Sequence, residues 1–317
     1  MNVLLTAIGK RVQLIQHLKT QFRVIGTDVS PLNPAKEFTD VFYLVPGCRE
    51  PDYIKGLLKI CRKEQVDLLI PLYEPEFLRL CETREQFEAA GVRLILSDQE
   101  VIRICNDKYQ TAAFFDQYQI PAPITYDREK LLDPKSCEWE YPLIIKPLNG
   151  MGSEGVFQIH NSRELEFFLS YVEYPIIQEC VQGTEYTVDV LCDLNGHPVY
   201  IVPRIRLEVR SGEVVKSRTC RQELVIRETT ALLEKLNREG TVIGPMTIQC
   251  FLSEDLKSLS FIEINPRFGG GVPLSFAAGA DYATALKAMA EGREVPYKGE
   301  GIRQLTMMRY DQAVFEE

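Results

Sequence analysis

The stretch that decides the fold reads Phe261-Ile262-Glu263-Ile264-Asn265-Pro266-Arg267, near the end of a chain of 317 residues. Apolar residues alternate here with Glu263 and Asn265, and this period of two predicts a strand with both polar side chains on one face. Pro266 and the glycines that follow predict an irregular loop after the strand. A packed strand has no structural need for two oxygen ligands on one face, so the pattern indicates a functional strand.

A second strand is predicted over Thr247-Ile248-Gln249-Cys250-Phe251-Leu252, from which Gln249 can face Glu263 and Asn265. Carboxylate and amide oxygens suit Mg²⁺, which takes few protein ligands and completes its shell with phosphate and water oxygens. Arg267 lies two residues after Asn265, and its forked guanidinium can bind a phosphate through two hydrogen bonds. These residues together predict a site for magnesium and phosphate.

The stretch at residues 143–156 joins an apolar strand to Lys146, a loop that contains three glycines, and another strand. Glycine lets backbone N–H groups approach phosphate oxygens, and a neighbouring lysine adds a point charge. The loop is not a Walker A loop, because G-x-x-x-x-G-K-[ST] is absent. The alternative is a hairpin with glycine turns, which explains the glycines but not a lysine at the end of an apolar strand.

The stretch at residues 176–190 predicts a strand that ends in Gln178-Glu179, a short linker, and a new strand from Glu185. Such a linker can present backbone groups to the edge of an adenine, and a carboxylate just beyond it can accept both ribose hydroxyls. Taken alone, a surface carboxylate at the start of a strand explains the pattern better.

The first hundred residues alternate between strand and helix patterns, which predicts an open α/β lobe with a parallel sheet. Asp28 ends the second predicted strand and could hold a ribose in a dinucleotide site, but G-x-G-x-x-G is absent. A turn cap before Ser30-Pro31 is the favoured role. From residue 98 the pattern changes to helices and then mostly strands, which predicts a second body of α+β class.

Charge and cysteine usage exclude several classes of protein. The formal net charge of -9 argues against a nucleic-acid partner, since phosphate backbones attract basic surfaces. No apolar run reaches the roughly 20 residues that span a bilayer, so no membrane partner is expected. The nine cysteines are scattered without a C-x-x-C pair, which is typical of reduced thiols in a cytoplasmic protein.

The order of these motifs resembles the ATP-grasp superfamily, in particular one ATP-grasp half of the carbamoyl phosphate synthetase large subunit. The elements that carry the resemblance are Lys108, Lys146, the linker 179–185 and Glu263-x-Asn265-Pro266-Arg267. It implies a Rossmann-like pre-ATP-grasp domain over residues 1–98 and an ATP-grasp domain over 99–317. Two lobes of the latter, about 109–180 and 181–317, would close on MgATP, and residues 1–98 would not bind it.

The resemblance also implies roles for individual residues. The implied ATP-binding residues are Lys108, Lys146, Met151, Gly152, Ser153, Gly155, Glu179, Val181 and Glu185. The implied metal ligands are Gln249, Glu263 and Asn265, holding one or two Mg²⁺ ions, for which Mn²⁺ can substitute. Arg267 and Lys146 would offset the charge that develops during phosphoryl transfer.

The activity that the resemblance implies is an ATP-dependent ligase that activates a carboxylate as an acyl phosphate for capture by an amine. Its partners would be small-molecule carboxylate and amine substrates, and the resemblance leaves room for a homodimer. The chain departs from carbamoyl phosphate synthetase by having one ATP-grasp half and lysines at Lys108 and Lys146, where that enzyme uses arginines. The resemblance therefore implies a fold and a class of reaction, not that enzyme's own reaction.

Two alternatives belong to other classes of protein. An NAD-dependent dehydrogenase would use the first lobe, but the missing glycine fingerprint speaks against it. An ATP-binding regulatory protein without catalysis would have a damaged metal set, whereas Gln249, Glu263 and Asn265 are all present.

The substrate side has a weaker signal in residues 203–210, where basic side chains alternate along one predicted strand. Arg204 and Arg206 share a face of that strand, and Lys216 and Arg218 follow beyond a turn at Ser211-Gly212. This cationic face could hold a carboxylate substrate or be an ordinary solvated face, and the sequence favours neither.

Overall fold

The computed structural model describes residues 1–126, 130–131, 138–148, 150 and 154–316. Met151, Gly152 and Ser153, predicted to close over ATP, lie outside the described residues. None of the helices in the described part of the chain has the length and apolar character needed to cross a membrane. The eight cysteines in that part are all free thiols.

The N-terminal segment, residues 1–98, forms the predicted parallel sheet, with strands in the order β3-β2-β1-β4-β5. Its strands are β1 (Asn2–Leu5), β2 (Arg23–Asp28), β3 (Val41–Leu44), β4 (Leu68–Ile70) and β5 (Arg93–Leu94). Its helices are α1 (Val12–Leu18), α2 (Tyr53–Glu64), α3 (Phe77–Glu82) and α4 (Arg84–Ala89), with short 3₁₀ turns at Pro34–Phe38 and Glu74–Glu76. Alternate residues of β1 face different cores, Val3 and Leu5 towards one and Leu4 towards the other, because helices cover both faces.

Two details of this segment bear on the sequence predictions. Apolar residues at helical spacing over residues 77–90 predict one helix, but Thr83 has non-helical backbone angles and separates α3 from α4. The Asp28 carboxylate accepts hydrogen bonds from the backbone N–H groups of Gly9 (2.9 Å) and Ser30 (3.1 Å). Asp28 therefore caps the turn, as the sequence favoured.

The described residues after residue 98 form two antiparallel sheets. The six-stranded sheet has the order β13-β12-β9-β10-β11-β14, and a three-stranded sheet has the order β7-β6-β8. The strands are β6 (Leu143–Pro147), β7 (Phe157–Ile159), β8 (Pro175–Glu179), β9 (Thr184–Cys192), β10 (Pro198–Arg210), β11 (Glu213–Thr219), β12 (Gly244–Leu252), β13 (Leu259–Asn265) and β14 (Thr306–Met308). The helices are α5 (Gln99–Asn106), α6 (Lys108–Gln117), α7 (Ser162–Tyr171), α8 (Glu223–Leu236), α9 (Pro273–Ala278) and α10 (Tyr282–Ala290), with a 3₁₀ turn at Gly299–Gly301.

An apolar core joins the N-terminal segment to the carboxy-terminal part of the chain. Leu14, Ile15 and Leu18 of α1 belong to the same buried cluster as Leu286 and Met289 of α10. Burying such side chains contributes about 1.5–3 kcal/mol each, so this contact holds the end of β1 close to the six-stranded sheet.

A buried ion pair lies on one face of that sheet. The register of β9 against β10 places Asp189 diagonally opposite Arg204, whose Nε and Nη2 donate to the two carboxylate oxygens at 2.9 and 3.2 Å. Arg204 is only 2% exposed, and Ser275 Oγ of α9 donates to Asp189 Oδ2 at 2.6 Å. A Cβ on Gly271 would lie 2.6 Å from the Arg204 guanidinium carbon, so only glycine allows this loop to pass so close.

Asp189→Asn should destabilise the fold by about 3–5 kcal/mol, because it leaves Arg204 buried without its counter-charge. Urea unfolding followed by circular dichroism measures the loss. The matched control is Glu208→Gln, which removes the exposed carboxylate that lies 2.6 Å from Lys216 on the same strand β10. Its midpoint should equal that of the wild type. Equal midpoints for both variants would contradict the structural role of the buried pair.

Candidate active site

The predicted metal-binding strands pair as the sequence requires. Antiparallel pairing of β12 with β13 sets Gln249 opposite Glu263 and Thr247 opposite Asn265. Gln249 Nε2 donates to Glu263 Oε2 at 2.7 Å, and Asn265 is buried on the same strand face. The shared face predicted for Glu263 and Asn265, with Gln249 opposite, is therefore what the strands form.

The donor set fits magnesium better than a softer metal. Among the described residues, no group of three or more His, Cys, Asp or Glu side chains is arranged to hold a metal ion. Gln249, Glu263 and Asn265 instead offer one carboxylate and two amide oxygens, which are few ligands and all oxygen. Mg²⁺ is commonly held by one or two carboxylates together with substrate phosphates. The three residues thus fit a metal that a phosphorylated ligand helps to bind.

Three cavities meet at Glu263, which lines all of them. The cleft cavity, of about 280 Å³, lies between the two antiparallel sheets and is lined by residues such as Ile144, Lys146 and Glu185. The linker cavity, also about 280 Å³, lies beside α5 and α6. The arginine cavity, of about 240 Å³, lies between the six-stranded sheet and the N-terminal segment. Glu263 is therefore the point where ligands in these cavities would come closest.

The cleft cavity combines apolar walls with a buried cation. Ile144, Phe251 and Ile262 line it, and no lining residue precedes Lys108. The ammonium group of Lys146 makes no hydrogen bond or ion pair with any residue that the structure describes, although its backbone pairs with Ile176 of β8. Burial lowers the pKa of Lys146 to about 8, an effect that Glu263 opposes and Lys108 reinforces. A partly desolvated ammonium without a partner favours an anion beside it.

The predicted adenine and ribose residues Glu179, Val181 and Glu185 line the same cavity. The Glu185 carboxylate lies 3.1 Å from Arg206 Nε, and burial raises its pKa while Arg206 opposes the shift. Arg206 itself lines the arginine cavity, so this ion pair forms part of the wall between the two spaces. Glu185 is thus held in place by a partner on the neighbouring strand.

Lys108 is placed differently from Lys146. Its ammonium donates to the backbone carbonyls of Leu148 (2.6 Å) and Gly150 (3.1 Å), at the start of the predicted phosphate loop. Lys108 also lines the cleft and linker cavities, and its direct contact with phosphate stays a prediction. Gly155, at the far end of the loop, has φ +69°, a left-handed conformation that glycine adopts without strain.

The arginine cavity is strongly cationic. The cationic side chains that line it are Lys10, Arg11, Arg204, Arg206, Arg267 and Arg309. The carboxylates that line it are Glu74, Glu213 and Glu263. Arg267 Nε lies 2.7 Å from Glu74 Oε1, so a residue of the N-terminal segment holds the predicted catalytic arginine.

Sequence reasoning missed this contribution of the N-terminal segment. Arg11 follows β1 and Glu74 follows β4, and these neighbouring strands flank the point where the strand order of the sheet reverses. The carboxyl ends of strands at such a point are the usual ligand-binding edge of an open α/β sheet. This rule could have indicated a binding site at the end of β1 and β4. Without the glycines of a dinucleotide-binding motif, however, nothing in the sequence indicated a ligand there.

The four predicted substrate residues separate into two pairs. Arg204 and Arg206 line the arginine cavity, although the Arg204 guanidinium already forms an ion pair with Asp189. Lys216 and Arg218 line none of the three cavities, because the intervening Ser217 and the next residue, Thr219, occupy the buried face of β11. Arg218 instead donates from Nε to Thr306 Oγ1 at 3.2 Å on the outer face. Both Lys216 and Arg218 are exposed, and a role for either in substrate binding stays a prediction.

Comparison with protein families agrees with this geometry. Residues 105–271 match the model of the ATP-grasp domain, and residues 3–95 match the model of the PylC-like N-terminal domain. The first match alone covers more than half of the chain, and the chain therefore belongs to the ATP-grasp family.

Two curated relatives are carbamoyl phosphate synthases. The carbamoyl-phosphate synthase of Methanobrevibacter smithii is 22% identical over 272 residues, which make up 81% of this chain and 71% of that protein. The carbamoyl phosphate synthase large chain of Corynebacterium glutamicum is 26% identical over 230 residues, 67% of this chain. The chain spans only 20% of the length of that second relative.

Solved structures share the fold at lower identity. N5-carboxyaminoimidazole synthetase from Staphylococcus aureus, complexed with ADP, superposes with a TM-score of 0.78 at 17% identity, covering 98% of this chain and 82% of that one. The biotin carboxylase domain dimer of Hydrogenobacter thermophilus 2-oxoglutarate carboxylase, in complex with MgADP, ADP and bicarbonate, gives 0.72 at 17% identity, covering 95% and 72%. The predicted combination of a Rossmann-like lobe with an ATP-grasp body is confirmed.

Lys146 should be acylated by a water-soluble anhydride with a midpoint near pH 8, because only the neutral amine reacts and burial lowers its pKa. Glu263→Gln should move that midpoint to lower pH, since the charge of Glu263 favours the ammonium form. Mass spectrometry of the peptide that contains Lys146 measures the profile. Glu100→Gln, which removes a surface partner of Arg103, is the matched control. An unchanged midpoint in Glu263→Gln would show that the two groups do not interact.

Proposed function

We propose that this chain is an ATP- and Mg²⁺-dependent ligase that converts a carboxylate into an acyl phosphate and passes the acyl group to an amine. One observation carries the proposal: Glu263, with Gln249 beside it, lies at the junction of a lysine-lined cleft and an arginine-lined cavity. A metal-binding carboxylate at such a junction stands between a site for a nucleotide and a site for an anionic acceptor.

The nucleotide belongs in the cleft cavity. Its apolar walls Ile144, Phe251 and Ile262 suit a flat base, and Glu185 suits ribose hydroxyls. Lys146, whose ammonium has no partner among the described residues, suits phosphate oxygens. Gln249, Glu263 and Asn265 would hold Mg²⁺, which when bound supplies charge neutralisation for the phosphates. The ADP and MgADP held by two structural relatives support this assignment.

The acceptor carboxylate belongs in the arginine cavity, on the other side of Glu263. There Arg267 can bind it while its oxygen attacks the γ-phosphorus, the bond to the β-phosphate oxygen breaks, and ADP leaves. An amine then attacks the acyl carbon, phosphate leaves, and the amine releases a proton to solvent. Charge neutralisation and positioning are most of what the protein must supply for such a transfer.

The names of the relatives support the class of reaction and not one substrate. An L-amino acid ligase from Bacillus licheniformis also shares the fold, with a TM-score of 0.69. A carbon–nitrogen bond is therefore part of this proposal, and small carboxylates and amines are its partners. A homodimer is also part of it, since one structural relative is described as a dimer.

Incubation with MgATP, a small carboxylate panel and hydroxylamine should yield a hydroxamate together with ADP, because an acyl phosphate acylates hydroxylamine. Colorimetric detection of the hydroxamate and chromatography of the nucleotide measure both products. Arg267→Ala should lower the rate by roughly 10²–10³-fold, as expected for losing one contact to developing charge. AMP and pyrophosphate in place of ADP and phosphate would refute the acyl phosphate. Nucleotide binding without any product would favour a regulatory ATP-binding protein.

Glu263→Gln should keep the fold but raise the Mg²⁺ concentration needed for half-maximal hydroxamate formation and lower the maximal rate by roughly 10²-fold or more. The amide is isosteric with the carboxylate but carries no charge. Metal titration of the hydroxamate assay measures the effect, with Glu254→Gln, on the exposed turn between β12 and β13, as the control. The same Mg²⁺ dependence in both variants would show that Glu263 is not a metal ligand.

A further inference from the structure

Arg11 is the cation of the arginine cavity that lacks a carboxylate partner among the described residues. Among the residues that the structure describes, no carboxylate lies within 4.0 Å of its guanidinium, and the guanidinium makes no hydrogen bond. It reaches across from the N-terminal segment to the glycine loop, where a Cβ on Gly270 would lie 4.0 Å from its Nη1. The side chain is more than half buried, so solvent replaces a partner only in part.

The other cations of the cavity all have carboxylate partners. Arg204 pairs with Asp189, and Arg206 pairs with Glu185 at 3.1 Å. Arg267 pairs with Glu74 at 2.7 Å.

Lys10 and Arg309 share Glu213, at 2.6 and 3.2 Å. This sharing leaves that end of the cavity with more cationic than anionic groups. Burial, together with the charges of Arg267 and Arg309, lowers the pKa of Arg11 to about 10, although the more distant carboxylates Glu213 and Glu74 oppose the shift. Since a guanidinium normally keeps its proton far above this pH, the surroundings of Arg11 are strongly unfavourable to a cation without an anion.

Two separate cationic positions therefore lie in one cavity. The first is at Arg267, beside Asn265 and Glu263, where the proposed function puts the carboxylate that receives the phosphoryl group. The second is at Arg11 and Arg309, next to the N-terminal segment. The cavity of about 240 Å³ is the size of a small metabolite, so one molecule can reach both positions.

We propose that the acceptor substrate is a small dianion, with one carboxylate at Arg267 for phosphorylation and a second anionic group held by Arg11. This inference rests on the proposed function and specifies its substrate class. Arg11 is here a specificity residue, because its guanidinium binds a group that takes no part in the reaction. The second group is a carboxylate or a phosphate-type oxyanion, since a guanidinium binds both through paired hydrogen bonds.

The test measures binding, so that it does not depend on turnover. Isothermal titration calorimetry with MgADP present compares malonate, succinate, glutarate and adipate with monocarboxylates of the same chain lengths. Phosphonoacetate and 3-phosphonopropionate form a second arm, which distinguishes a phosphate-type group from a carboxylate. At least one dianion should bind tenfold or more tightly than its monocarboxylate.

Arg11→Gln should weaken binding of that dianion by roughly ten- to a hundredfold, the usual loss when one charge-assisted hydrogen-bonded partner is removed. The matching monocarboxylate should bind as before, and Arg11→Lys should keep part of the preference because it keeps the charge. Arg23→Gln is the control, since Arg23 belongs to the same segment and pairs with Glu64 on the surface. Circular dichroism confirms that each variant is folded.

Equal binding of dianions and monocarboxylates by the wild type would overturn the inference. So would a loss in Arg11→Gln that is the same for both ligands. Hydroxamate formation from monocarboxylates without any dianion preference would count against the second anion position alone. A dianion preference that depends on Arg11, without hydroxamate or ADP in the presence of MgATP, would count against the proposed ligase activity alone.

Discussion

The buried pair of Asp189 and Arg204 is the interaction on which the geometry of the site depends. It joins β9, β10 and α9 on the face of the six-stranded sheet that also carries Gln249, Glu263 and Asn265. Its guanidinium is so close to the loop after β13 that Gly271 has no room for a side chain. That loop, residues 266–271, also carries Arg267, so the ion pair packs against the segment that presents the proposed catalytic arginine. Such a pair contributes little net stability but costs several kcal/mol when broken, so its role is positional.

Electrostatic balance explains how the surrounding site is built. Most cations around Glu263 are matched by carboxylates, often from a distant part of the chain, as Arg267 is by Glu74. Two partly buried cations are left without a partner among the described residues, Lys146 in the cleft and Arg11 in the arginine cavity. Burial lowers the pKa of each, which indicates that each environment would gain from an anion. Their two cavities meet at Glu263, which is the arrangement that the proposed phosphoryl transfer needs.

Local sequence patterns predicted the strands that carry the candidate site residues. The alternation around Glu263 and Asn265 follows from the period of two, whereas apolar runs predicted the strands next to Lys146 and Glu185. The register between β10 and β11 sets Arg206 opposite Ser217 and Arg204 opposite Thr219. Lys216 and Arg218 therefore lie on the other face of the sheet. A pattern in one strand does not reveal its register against the next strand.

The sequence by itself therefore determined the class of fold, and it predicted the order of the nucleotide and metal motifs and the chemical type of each proposed ligand. Those properties depend on short-range periodicity and on which side chains carry oxygen or charge. Only the tertiary structure decided which charges are balanced, because Arg11 and Arg309 are nearly three hundred residues apart yet belong to one cavity. It also decided that Arg204 pairs with Asp189, since this partner comes from the register between two strands. Register and the packing of α1 on α10 are long-range properties of the whole core, and no local pattern encodes them.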